Sequence, residues 1–183
     1  MHVAIIELMG IVCSNIIVLP QSCPKEDLPS SSVAHELSNA KMNSDTNTVP
    51  YDFNRVKMER PGDATDYVNA SRVEMPSGQR FVVSQSPAEG GGVAEFWRLI
   101  WQERSPAVVM LTKTYELIKV MSACYWPIFV DKKEEYGEFT VRMLVEESYA
   151  HYKVRCLFLG ASIKDVHTHM RRCTMGGCVN SVL

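Results

Sequence analysis

The sequence predicts an α/β fold that combines several short strands with a central helix. Several short apolar segments alternate with a period of two, as strands do, and one central segment has the helical period. The 183 residues, of which 46% are hydrophobic and 22% charged, are typical of a globular chain with one core. The formal net charge of −2 gives no reason to expect nucleic acid or an anionic membrane as a partner.

The first 49 residues are predicted to lie outside the folded domain. Residues 3–19 are mostly apolar, which leaves a signal peptide open, but Glu7 and Asn15 interrupt the run and no Lys or Arg precedes it. Residues 21–48 are rich in Ser, Asn, Pro and charged side chains, so we expect a flexible linker or loosely held arm there. The six cysteines lack the short regular spacing of a disulfide scaffold, which favours reduced thiols in a cytoplasmic protein.

Two elements are predicted between residues 80 and 104. In the segment 80–84, Phe81 and Val83 share one face, which predicts a short strand that ends before Pro87 and a run of three glycines. Residues 93–104 then have large apolar side chains at helical spacing, and we expect that helix to be buried on one side. These apolar residues are Phe96, Trp97, Leu99, Ile100 and Trp101.

Three more strands are predicted further along the chain. Residues 107–111 are a continuous apolar run of strand length, which favours a central buried strand. Residues 138–145 and 152–158 both alternate, so they fit an antiparallel pair joined through 146–151. Residues 161–183 have no sustained period and are predicted to be an unpatterned tail.

Six short sequence blocks follow one another between residues 50 and 160. The blocks are 51–56 (Tyr-Asp-Phe-Asn-Arg-Val), 66–71 (Asp-Tyr-Val-Asn-Ala-Ser), 81–87 (Phe-Val-Val-Ser-Gln-Ser-Pro), 95–101 (Glu-Phe-Trp-Arg-Leu-Ile-Trp), 108–112 (Val-Val-Met-Leu-Thr) and 125–127 (Tyr-Trp-Pro). In order, they resemble signature blocks of protein tyrosine phosphatase domains. Because six blocks in the same order are far more specific than one short motif, the chain resembles the N-terminal half of such a domain, of receptor or non-receptor type. The resemblance implies a partial domain over 50–160 with a twisted mixed β-sheet flanked by helices, truncated before the catalytic loops and without its C-terminal half.

The residues within or beside these blocks that match the family are expected to have structural roles. Polar side chains set among apolar segments usually satisfy buried backbone groups, and the tryptophans are expected in the core. The resemblance also implies that one glutamate would pair with a phosphate-binding arginine that has no counterpart here. The matching residues are Asp52, Arg55, Asn69, Gln85, Trp97, Glu116 and Trp126.

The catalytic groups that the resemblance implies are missing from these 183 residues. The family is implied to use a cysteine thiolate as nucleophile, an arginine six residues later to bind phosphate, and an acid in a Trp-Pro-Asp segment. The residue six after each cysteine is instead Leu19, Pro29, Val130, Ser162 or Val179, or lies beyond the chain for Cys178. Trp126-Pro127 is followed by Ile128. We therefore predict no catalytic or substrate-binding residue in this chain.

Two departures affect substrate recognition. The family has Lys-Asn-Arg-Tyr a few residues before position 50, and its tyrosine is implied to stack on the substrate ring. Residues 42–45 are Met-Asn-Ser-Asp, and Asp45 would repel a phosphate. Residues 121–122 are Met-Ser where the family has Lys-Cys.

A metal site is weighed only in the tail, and neither a metal nor a cofactor is expected. His167, His169, Cys173 and Cys178 are close in sequence and could surround a zinc ion. Their spacing, however, does not match the paired ligands of tetrahedral zinc sites.

Two functional hypotheses remain. The chain is either a fragment of an active phosphatase, inactive alone, or a non-catalytic, pseudophosphatase-like module that binds proteins. Expected partners of such a module are phosphotyrosine-signalling proteins or another phosphatase domain.

Overall fold

A computed structural model describes residues 1–8, 28–60, 65–116 and 118–161. The described part is a mixed α/β structure, which confirms the predicted fold class. Its strands are β1 (His2–Leu8), β2 (Arg55–Lys57), β3 (Tyr67–Glu74), β4 (Arg80–Ser84), β5 (Ala107–Met110), β6 (Tyr115–Glu116), β7 (Lys119–Val120), β8 (Lys133–Tyr136), β9 (Phe139–Ser148) and β10 (Tyr152–Ala161). Its helices are a 3₁₀ turn (Val33–His35), α1 (Leu37–Ala40) and α2 (Gly91–Glu103).

The largest sheet in the described residues has the order β5-β1-β10-β9-β8. Strand β1 is parallel to β5 and antiparallel to β10, while β10, β9 and β8 are joined by antiparallel pairs. The same residues also contain a three-stranded sheet, β2-β3-β4, and a β6-β7 hairpin. The first strand of the chain therefore lies inside the main sheet, between two strands that come about a hundred or more residues later.

Helix α2 contributes to two apolar clusters, one with each of the larger sheets. Val93, Trp97 and Ile100 pack in the core that includes one face of the five-stranded sheet. Leu99 instead packs with Val56, Met58 and Ala70 beneath the three-stranded sheet. The helix ends at Arg104, whose backbone is left-handed with φ of 51° and whose N–H bonds back to Trp101 O.

Several predicted elements are confirmed. Strand β4 has the predicted bounds, 80–84, and α2 covers 91–103 with one buried side. Strands β9 and β10 form the predicted antiparallel pair, although each is longer than expected. Trp101, expected in the core, is 40% exposed.

The prediction of a central buried strand at 107–111 was wrong. Strand β5 covers 107–110 and lies at the edge of the sheet, with Val109 57% exposed and Leu111 54% exposed. A run of apolar residues indicates burial on both faces, but here only alternate residues, such as Met110, face the core.

The N-terminal region also differs from its prediction. Residues 2–8 are a sheet strand, because the open edges of β5 and β10 supply hydrogen-bond partners on both sides. The described part of the expected linker, 28–48, contains the 3₁₀ turn and α1. Polar side chains bind this part to the body of the domain, which hydropathy alone could not indicate.

Candidate functional site

Asp52 anchors the 3₁₀ turn to the start of the family-like region. Its carboxylate accepts hydrogen bonds from the hydroxyls of Ser30 and Ser32 at 2.7 and 2.8 Å. It also accepts the backbone N–H groups of Ser32 and Val33 at 3.0 and 3.1 Å. These donors, the two hydroxyls first, lower the pKa of Asp52 to about 2. The carboxylate is therefore a structural anion that is already fully engaged.

Asn69 on β3 and Gln85, which directly follows β4, bind residues 42–48. The Asn69 amide donates to Asn43 Oδ1 at 3.0 Å and to Thr48 O at 2.9 Å. Gln85 donates to Met42 O at 2.7 Å and accepts the Ser44 N–H at 3.0 Å. The network thus uses the Asn69 NH₂ group and both polar atoms of the Gln85 amide to hold residues 42–48.

The departure at residues 42–45 is part of this network. Asn43 Oδ1 accepts both the Asn69 amide and the Tyr67 hydroxyl, the latter at 2.7 Å. Asp45 accepts the Asn47 N–H at 2.9 Å and the Thr48 hydroxyl at 3.0 Å. A segment that the family resemblance would assign to substrate recognition is thus engaged in local hydrogen bonds.

Arg55 makes a bidentate ion pair with Asp66. The two N–O distances are 2.9 and 3.1 Å, and the guanidinium lowers the pKa of the Asp66 carboxyl. Arg55 also lines an open cleft of about 880 Å³ between β2, β3 and β4 and the segment after α2. This arginine therefore braces the cleft wall and is already paired.

Aromatic and basic side chains border the same cleft. Phe53 is 74% exposed and Phe81 52% exposed. Arg72 lies in the wall and pairs with Glu103 at 2.7 Å, while the exposed Arg80 lies near Phe81 on β4. The lining also includes the carboxylates Glu74 and Glu103, so the opening combines exposed rings with charges of both signs.

Trp97 and Trp126 belong to an aromatic core. The Trp97 indole N–H donates to Tyr125 O at 2.9 Å, and the Tyr125 ring meets the Trp126 ring edge-on with centroids 4.7 Å apart. The Arg155 guanidinium lies 4.5 Å from the Trp126 ring centroid. Both tryptophans thus have the core positions that the sequence predicted.

Arg155 is a buried charged residue that the sequence analysis did not identify as a candidate. It is only 5% exposed, and it donates to Glu7 on β1 at 2.6 Å and to Glu146 on β9 at 2.7 Å. The alternation of residues 152–158 did not indicate a buried cation, because Arg155 shares its alternating set with the charged Lys153. That set continues through Leu157 and Leu159 and is nevertheless the buried face of β10.

The remaining predicted residue and the two described thiols lie apart from these clusters. Glu116 is exposed on β6 and is the strand partner of Lys119. Desolvation raises the pKa of the Cys124 thiol, whose Sγ lies 3.3 Å from Trp126 O. The Cys156 side chain is exposed on β10.

Neither of two other site types occurs in the described residues. Within them, no helix is both long and apolar enough to cross a membrane. The same ranges contain no group of three or more His, Cys, Asp or Glu that could hold a metal ion. His167, His169, Cys173 and Cys178 lie outside the described residues.

Comparison with known proteins identifies the family. Residues 39–175 match the family model described as protein-tyrosine phosphatase. Human receptor-type tyrosine-protein phosphatase alpha is 37% identical over 142 residues, which are 72% of this chain and 17% of that protein. Mouse tyrosine-protein phosphatase non-receptor type 2 is 35% identical over 130 residues, covering 69% of this chain and 31% of that protein.

A viral relative gives a similar match. Tyrosine phosphatase-like protein J1 of Microplitis demolitor bracovirus is 34% identical over 131 residues, or 71% of this chain and 43% of that protein. The matched region spans less than half the length of each of these relatives. Since the family model covers most of the sequence, the chain belongs to the protein tyrosine phosphatase family.

Proposed function

We propose that these 183 residues form the scaffold part of a tyrosine phosphatase domain and do not hydrolyse phosphotyrosine on their own. The observation that carries the proposal is the sequence itself, in which no cysteine is followed six residues later by arginine. Without that pair, no thiolate is placed next to a cation that could bind the phosphate and stabilise the transition state.

The surroundings of the described thiols support this proposal. A phosphate-attacking cysteine needs a lowered pKa, whereas burial raises that of Cys124. The Cys124 sulfur is also directed at a carbonyl oxygen, which would repel a thiolate and an incoming phosphate.

The test is an assay of residues 1–183 with para-nitrophenyl phosphate and a phosphotyrosine peptide. We expect turnover indistinguishable from buffer, and the phosphatase domain of a similar relative serves as the positive control. Turnover that survives repurification and disappears in Cys124→Ser or Cys156→Ser would contradict the proposal.

A non-catalytic binding role is the second candidate, and the cleft beside β4 favours it. Phe53 and Phe81 present exposed rings at an opening that also carries Arg72 and Arg80. A phosphotyrosine side chain combines a ring with an anion, so it fits this mixture of groups. The partner would be a phosphotyrosine-signalling protein or a phosphorylated segment of another phosphatase domain.

This candidate is tested by fluorescence anisotropy with a labelled phosphotyrosine peptide and the same peptide without phosphate. We expect tighter binding of the phosphorylated form and a several-fold loss in Arg80→Glu, because the reversed charge would repel the phosphate. Lys132→Glu, an exposed charge reversal in the loop before β8, is the matched control. Equal binding of both peptides, or equal loss in both variants, would contradict a phosphate-reading cleft.

A cytoplasmic location is part of this proposal. It is supported by the dispersed cysteines and by the similarity to a non-receptor phosphatase. Fractionation of cells that express the untagged chain would test it, and recovery in a membrane pellet resistant to high salt would contradict it.

A further inference from the structure

Strand β1 is foreign to the family-matched region and yet completes its sheet. The family match begins at residue 39, while β1 covers His2–Leu8. Strand β1 nevertheless lies between β5 and β10, both of which lie inside the match. The gap between β5 and β10 is therefore a slot for one strand, and residues from outside the family region fill it.

The slot matches its occupant on both edges. Every residue from His2 to Leu8 is paired with β10, and four of them are also paired with β5. Met1 and Leu159 exchange hydrogen bonds at 2.8 and 2.7 Å, and Ala4 N donates to Pro106 O at 3.0 Å. Without β1, two neighbouring strand edges would expose unpaired N–H and C=O groups, which readily bind another strand.

Side chains make the slot selective for this sequence. Val3 and Ile5 are at most 1% exposed and enter the core, so the donor strand needs apolar residues two apart. Glu7 then pairs with the buried Arg155 at 2.6 Å, which fixes the register. A strand with two apolar residues and a following carboxylate is what the slot accepts, and another copy of this chain carries such a strand.

The donor strand can leave without disturbing the rest of the N-terminal region. The pairs and bonds of β1 given above are with β5, β10 and their flanks, whereas residues 30–48 bond to Asp52 and to strands β3 and β4. Residues 9–27 connect the two regions and, if extended, reach about 60 Å. A connection of that length is compatible with pairing of β1 either in its own chain or in a second copy.

We propose that two copies of this chain exchange β1, so that residues 1–8 of each copy complete the sheet of the other. In the exchanged dimer, β1 makes the same contacts as in the single chain, and the number of strands in each sheet is unchanged. High protein concentration favours this dimer, because the exchange replaces contacts within one chain by the same contacts between two chains. The partner that the slot fits is therefore a second copy of this polypeptide.

A disulfide trap tests the exchange in the full chain. Ala4 and Cys156 are Cα partners, and they are three pairs along from the hydrogen-bonded pair of Met1 and Leu159. Hydrogen-bonded and non-hydrogen-bonded pairs alternate, so Ala4 and Cys156 form a close pair with Cα atoms about 4.5 Å apart, within disulfide reach. Mild oxidation of Ala4→Cys is expected to give a linked dimer on non-reducing gels that returns to monomer with dithiothreitol. Ala4→Cys with Cys156→Ser should give none, and a trapped monomer would overturn the proposal.

A charge exchange keeps the proposal testable if the cysteine variant fails to fold. Glu7→Arg places like charges together, as does Arg155→Glu, so each variant alone should lose its β1 pairing. When the two variants are refolded together, exchange restores the original pair of Glu7 and Arg155 in one slot. In the other slot it brings together the two introduced side chains, which also have opposite charges. Native mass spectrometry should then show the 1:1 heterodimer as the main species, and failure of the mixture to form it would overturn the exchange.

Discussion

The two faces of the five-stranded sheet differ sharply in exposure. On the face that packs in the α2 core, Val3, Ile5, Leu157 and the neighbouring apolar residues of β9 are at most 2% exposed. On the opposite face, Val109 and Phe158 are 57% and 43% exposed. Because the side chains of one strand alternate between these faces, adjacent residues of the same strand experience different solvent.

This difference shows where the stability of the described domain originates. Burial of apolar area is worth about 25 cal/mol per Å², so the α2-facing side supplies most of the hydrophobic free energy of this sheet. The opposite face retains apolar side chains that gain little from folding. Adjacent residues on β10 therefore provide matched substitutions that test the comparison directly.

The largest effect is expected for Leu157→Ala. Leu157 is fully buried, and its truncation should lower the free energy of unfolding by about 3–5 kcal/mol through lost transfer energy and a residual cavity. Urea unfolding followed by tryptophan fluorescence measures it. Leu157→Met is the control with conserved volume and should cost less than about 1.5 kcal/mol. Equal losses in the two variants would mean that packing at this position is not what stabilises the sheet.

A smaller loss of unfolding free energy is expected for Arg155→Ala, which removes the ion pairs that Arg155 makes on the same face of the sheet. Its removal leaves Glu7 and Glu146 near each other and uncovers the Trp126 ring, which should cost about 2–3 kcal/mol of unfolding free energy. This expected loss is smaller than the loss for a fully buried ion pair, because both carboxylates keep some contact with water.

Arg142→Ala is the matched control for that substitution. Arg142 pairs with Asp131 at 2.9 Å, and both side chains are more than half exposed. Its loss should cost below about 0.5 kcal/mol. A loss as large as that of Arg155→Ala would show that burial does not distinguish the two ion pairs.

The next effect is a pH dependence of stability that arises from Asp52, a residue outside the five-stranded sheet. Its folded pKa of about 2 lies below the unfolded value of about 3.9, so its stabilisation is present above pH 4 and is lost as the pH falls towards 2. Asp52→Asn should therefore be less stable than wild type above pH 4, and the difference should narrow below it. Urea midpoints measured from pH 2 to 6 give the profile. Ser32→Ala removes one hydroxyl donor and should change this pH profile in the same direction as Asp52→Asn, but by a smaller amount. Parallel profiles for all three proteins would contradict the assignment of the pH dependence to Asp52.

Local periodicity predicted much of this fold because the signals depend on neighbouring residues. The bounds of β4, the one buried side of α2 and the β9-β10 pair follow from apolar spacing and turn residues. The family resemblance located the core tryptophans, Trp97 and Trp126. For Asn69 and Gln85 the sequence predicted bracing of backbone groups, but it could not supply their partners at residues 42–48.

The errors concern strand order and the choice of buried face, which are set by distant residues. Nothing local to residues 2–8 distinguishes a sheet strand from the start of an apolar leader, since its partners lie beyond residue 100. Strand β5 appeared central from its apolar run, but its position at the edge depends on where β1 pairs. In β10, the alternating set that contains Leu157 begins with the charged Lys153 and Arg155, so the pattern alone could not show that Leu157 is buried and Phe158 exposed.

The smallest effect is expected for Phe158→Ala, the neighbour of Leu157 on the open face. Phe158 is 43% exposed, and its ring makes an edge contact with His2 at 5.8 Å between centroids. Because little of its surface leaves water on folding, the substitution should cost below about 1 kcal/mol, several times less than Leu157→Ala. Urea unfolding under the same conditions measures both. If Phe158→Ala cost as much as Leu157→Ala, a layer would cover this face in solution, and the loss would depend on protein concentration only where that layer came from a second copy.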